Sequence, residues 1–88
     1  MGMNAIERAQ QENRERKAHR LVATYLWYLE ATGRALDAPL VDAFAALDEQ
    51  GRKTLIDLHD ERTGHTWTAA SPETWAIAVG YLRMALAA

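Results

Sequence analysis

The 88-residue chain contains no cysteine, two prolines, five glycines and a single serine. Each shortage excludes something. Without cysteine there is no disulfide framework, no thiolate metal site and no thiol nucleophile. No uninterrupted apolar run approaches the roughly 18 residues of a membrane-crossing helix, and the first residues lack the apolar core of a secretion signal. An unstapled domain of this kind suits the cytoplasm. There is no Gly-rich phosphate loop. The only serine, Ser71, precedes Pro72 and is better used as a helix cap than as a nucleophile. Eighty-eight residues make one domain, and a domain so small buries only roughly 60 to 65% of its unfolded-chain surface. A deep substrate cavity would compete with the core for side chains.

What is present is mostly helical signal. Neither proline nor glycine interrupts the stretch from Asn4 to Thr32. Asn4 is a good N-cap with Glu7 three residues on, and Gly33 is the expected stop. The two halves of this helix differ chemically. Residues 7–20 are almost wholly polar, whereas residues 21–29 are strongly apolar. At 100° per residue, Ala18, Leu21, Val22, Tyr25, Leu26 and Leu29 form one stripe, which runs back into Glu7, Gln11 and Arg14. Residues 1–17 therefore read as a polar helical arm or frayed N-terminus, and residues 18–88 as one helical domain.

Pro39, preceded by Asp37 and Ala38, opens a second helix with Leu40, Ala43, Phe44 and Leu47 inward and Val41 beside them. Asp48 caps a third helix that runs to about Arg62, with Leu55, Ile56, Leu58 and His59 on its apolar side. Gly51 is a weak point near its start, and Gly64 is a stop signal. Thr63 to Ala70 reads as the one real loop. Ser71, Pro72 and Glu73 then give the clearest start in the chain, for a helix reaching about Leu86. The expected fold is all-α, a small bundle of three to four helices whose long first helix projects by its polar half.

Charge is uneven. Residues 1–34 carry six Lys/Arg against four Asp/Glu, and residues 35–88 carry four against eight, so a mildly basic arm precedes an acidic body. Eight of the ten basic residues are arginine, which together with abundant alanine reads as the codon bias of a GC-rich bacterial or phage genome.

Three features point toward function. The last helix is apolar on two sides: Trp75, Val79, Leu82 and Leu86 on one, Ile77, Tyr81 and Met84 roughly opposite. A helix apolar all round is either wrapped on every side or seated in an interface, and Ala76 with Gly80 would permit a close crossing. Trp27 lies near 170° from the first helix's core stripe, and Trp67 stands in a polar loop; tryptophan is enriched at interface hot spots. Trp27, Ile77, Tyr81, Met84 and Trp67 are thus the candidate contacts for a protein partner, with a homodimer through the last helix as one form. Arg14, Arg16, Lys17 and Arg20 are the candidate contacts for nucleic acid or another anion. Glu7, Glu12 and Glu15 dilute that basic surface, and the acidic body opposes phosphate. The polar cluster Asp57, His59, Asp60, Glu61 and His65 has no zinc spacing, and no nucleophile–base pair or cofactor motif occurs. The expected activity is a non-enzymatic protein–protein interaction module, an accessory subunit or a phage-type inhibitor or adaptor. The alternative is a nucleic-acid-associated helical protein that uses its arm.

Overall fold

The computed structural model describes residues 4–64 and 71–88, with the side chains of His59 and Thr63 excepted. Four helices account for nearly all of these residues: α1 (Ala5–Ala31), α2 (Ala38–Ala45), α3 (Glu49–Thr63) and α4 (Pro72–Ala87). Every one begins on a side-chain cap. Asn4 accepts from the Glu7 N–H at 2.8 Å, Asp37 from Leu40 at 2.9 Å, Asp48 from Gly51 at 2.8 Å and Ser71 from Thr74 at 3.1 Å. Each cap satisfies one donor that a helix start leaves without a partner, a contribution of about 1 kcal/mol. At the far end of α1, Gly33 takes φ +74°, and the N–H groups of Gly33 and Arg34 return to the carbonyls of Glu30 and Leu29. That is a Schellman stop, and the left-handed residue it requires is a glycine.

Contacts along α1 set the topology. The Tyr25 ring stacks on Phe44 of α2 with centroids 4.6 Å apart, and Phe44 meets Trp75 of α4 at 4.5 Å. One and a half turns further along α4, Tyr81 stacks on His19 at 4.3 Å. As α4 advances it therefore retreats along α1, and the two helices are antiparallel. α2 crosses α4, tied by the Trp75 indole N–H donating to the Phe44 carbonyl (3.0 Å) and by Arg83 on Asp42 (3.1 Å). The backbone of α3 lies against α1, and its Leu55 and Ile56 enter the same core as Phe44. The buried core is Ala18, Leu21, Tyr25 and Leu29 of α1, Val41 and Phe44 of α2, Leu55 and Ile56 of α3, and Trp75, Ala78 and Leu82 of α4.

Three faces differ from the sequence expectation. On α1, Leu26 is 39% exposed while Thr24 is 2% exposed. The buried stripe is rotated away from Leu26 because α1 receives neighbours on two flanks rather than one. On α2 the inner pair is Val41 and Phe44, and Ala43 is exposed, since the backbone of this helix lies against α4. On α4, Thr74 and Ala78 join Trp75 and Leu82 inside, Val79 is only partly buried, and Leu86 is exposed near the end of the helix.

The polar half of α1 is itself graded. Residues 4–10 are fully exposed, while Gln11, Arg14, Glu15 and Lys17 are half-buried. The 27-residue helix is about 40 Å long at 1.5 Å per residue, close to the 45 Å extent of the whole molecule. The radius of gyration, 13.6 Å, exceeds the roughly 12 Å of a compact domain this long, as a projecting arm would produce.

Candidate functional site

Helix α4 is held on two sides, by α1 and by α2, and open on a third. Its outward face carries Ala76, Gly80, Arg83, Met84 and Ala87, all exposed, with Ile77 half-buried at the margin. Met84 is 68% exposed. Gly80 stands in open space: a methyl added there would meet no atom within 4 Å. The one charge in the second half of the helix, Arg83, is drawn aside by its pair with Asp42. Apart from Arg83, the outward face is therefore apolar, and no described residue covers it.

The sequence-derived candidates separate into distinct places. Ile77 and Met84 share the margin and outward face of α4. Tyr81 does not join them, because its ring lies on His19 and is half-buried against the core. Trp27 is 38% exposed on α1, and the Arg62 guanidinium of α3 lies 4.5 Å above its ring. Such a cation–π contact covers one face of the indole and leaves its edge to solvent. Trp67 and His65 lie outside the described residues, as does the side chain of His59.

The basic residues divide in the same way. Arg16 and Arg20 are exposed, whereas Arg14 and Lys17 are half-buried on the flanks of the packed face. Arg14 sits one turn before Ala18 on the core stripe, and its Nε is buried without a hydrogen-bond partner among the described residues. Lys17 is engaged elsewhere in the chain.

A second concavity was not foreseen from the sequence. Among the described residues the backbones of α2 and α3 stay apart, and a groove opens between them above the C-terminal part of α1. The groove between them has a volume of about 290 Å³ and is lined by Leu40, Ala43, Leu47, Leu55 and Leu58 with Tyr25 and Tyr28. At one end the Tyr25 hydroxyl donates to the Leu40 carbonyl at 3.0 Å. Burial, and after it the Asp37 carboxylate, push this phenol above its ordinary range, so it stays a protonated donor. The individual residues read as core positions in the sequence. Only the splay of two helices turns them into a groove wall.

Among the described residues, no three His, Cys, Asp or Glu side chains converge as a metal-binding group, and no helix is long and apolar enough to cross a membrane. No family model matches the chain, and no curated protein or solved structure shows significant similarity to it.

Proposed function

We propose that this chain is a small non-enzymatic interaction module that acts in a bacterial or phage-infected cytoplasm. It would serve as an accessory subunit of a larger assembly, or as an inhibitor or adaptor. Its main contact surface is the outward face of α4, with Ile77 and Met84 as apolar anchors. Trp27, backed by Arg62, is a second and separate anchor. The observation that carries this reading is the exposure of Met84 beside an open Gly80 on an almost uncharged helix face. A glycine in a helix interior costs about 1 kcal/mol relative to alanine, and nothing among the described residues requires one at position 80. A second helix crossing at Ala76 and Gly80 would require it. That helix could belong to another protein or to a second copy of the chain.

A photo-crosslinking side chain placed at position 84 tests the reading in native cytoplasm. It should trap a discrete protein product, and the same group at Lys53, exposed on α3, should not. Equal products from both positions would sink the proposal. A random DNA duplex supplies the contrary arm. Saturable binding near physiological salt at about 10 μM protein, lost in Arg16→Ala/Arg20→Ala, would replace protein contact with phosphate contact.

A further inference from the structure

The α2–α3 groove is a site apart from the α4 face, and its chemistry is of two kinds. Its walls are hydrocarbon, and Arg34 is the one charged residue among those that line it. The Arg34 guanidinium makes no hydrogen bond or ion pair with any described residue, and neither does the Tyr28 hydroxyl, which lines the same groove. The two residues follow one another on the wall formed by the end of α1 and the turn after it, beside Leu29 and Leu40. Asp37 caps α2 through the Leu40 N–H, keeps its charge, and is not among the residues that line the groove. The groove thus offers a cation and a hydroxyl donor with no partner among the described residues, while the Thr54 hydroxyl on its wall is spent on the Gln50 carbonyl and the rest is mainly apolar. The volume of about 290 Å³ holds on the order of ten groups of water size, at roughly 30 Å³ each.

We propose that this groove binds an amphiphilic carboxylate, a short apolar chain or ring ending in a carboxylate. The charged end rests on Arg34 and Tyr28, and the apolar part lies over Leu40, Ala43, Leu47 and Leu58. A guanidinium matches a carboxylate in geometry as well as charge, because its paired N–H groups meet two oxygens at once. The apolar part supplies most of the binding by area, and Arg34 supplies the choice of head group. A neutral alcohol of the same length would gain the first and not the second.

Backbone amide spectra of the full chain, titrated with sodium octanoate and separately with 1-octanol, test this directly. Octanoate should move the amides of Tyr28, Arg34, Leu40, Leu47 and Leu58 and leave those around Met84 in place. Arg34→Gln, an exposed substitution, should weaken octanoate about threefold to tenfold and leave octanol unchanged. Ala43→Trp, filling the groove from its rim, should abolish both. The proposal fails if octanoate and octanol bind equally and neither responds to Arg34→Gln. It fails equally if the shifts cluster on the α4 face, or if none appear up to about 10 mM octanoate.

Discussion

The two flanks of α1 are built on different principles. On one, α2 and α4 close against it through a continuous column of rings, Tyr25 on Phe44 on Trp75, and through the indole hydrogen bond to the Phe44 carbonyl. On the other, the backbone of α3 lies against α1, and among the described residues it contributes Leu55 and Ile56 to the buried core. Both flanks are apolar. The difference is that three elements share the first contact and two share the second. A helix fixed by one neighbour leaves part of its apolar surface facing a gap, and here that gap is the groove. Stability and accessible apolar surface are thus divided between the flanks instead of being spread evenly.

Breaking the closed flank should have the largest effect. Trp75→Ala removes the end of the ring column and the donor to Phe44, and a loss of about 3 to 5 kcal/mol is expected in denaturant unfolding, global in character. Leu55→Ala on the open flank should cost about 2 kcal/mol, near the low end for such truncations because the groove lets the site relax. Native-state hydrogen exchange separates the two cases. After Leu55→Ala the amides of α3 should lose protection ahead of those of α4. Equal losses in both helices would show that the flanks are one cooperative unit and would undo the contrast.

Two glycines sharpen the contrast from the opposite direction. Gly80→Ala should stabilise the isolated chain by about 0.5 to 1 kcal/mol, since its methyl meets nothing and helix propensity improves. In the same variant, binding through α4 should weaken. Gly51→Ala should not share the gain, because its methyl would stand 2.8 Å from Leu47 Cδ2 and 3.3 Å from the capping Asp48 oxygen. Thermal melts of both variants settle the sign, and a stabilised Gly51→Ala would mean that the joint between α2 and α3 yields easily. Smallest of all should be removal of residues 1–10. Their side chains from residue 4 onward are exposed, Ile6 included at 71%, so the expected change lies within about 0.5 kcal/mol. A larger loss would place the arm against a second chain.

Much of this fold is legible in the sequence because its boundaries are written in local chemistry. Asn4, Asp37, Asp48 and Ser71 each cap a helix, and Gly33 and Gly64 each take a positive φ at a helix end. Those preferences act within a few residues, so they can be read without tertiary knowledge. Rotation about a helix axis cannot. Periodicity gives α1 an apolar stripe, but the choice between burying Thr24 and Leu26 depends on where α3 and α4 arrive. The same holds for Ala43 against Val41 on α2. For the candidate site, the exposure of Met84 and Trp27 is consistent with their helical phase. The cover over Tyr81 is not legible, because His19 reaches it across 62 positions of sequence. The groove is least legible of all, since it exists only where two helices fail to meet.

The antiparallel pairing of α1 with α4 also has a consequence for how the chain is made. The ring column needs Tyr25, Phe44 and Trp75 together, and Ala78 and Leu82 complete the wall behind it. A ribosome delivers these pieces in order, so α1 and α2 emerge with their apolar faces bare and no partner yet synthesised. Only when the polypeptide has cleared the exit tunnel beyond Leu82 can the core shut, in one step that joins α1 to α4. Until then Leu21 and the α1 surface that Trp75, Ala78 and Leu82 will cover stay open to chaperones and proteases.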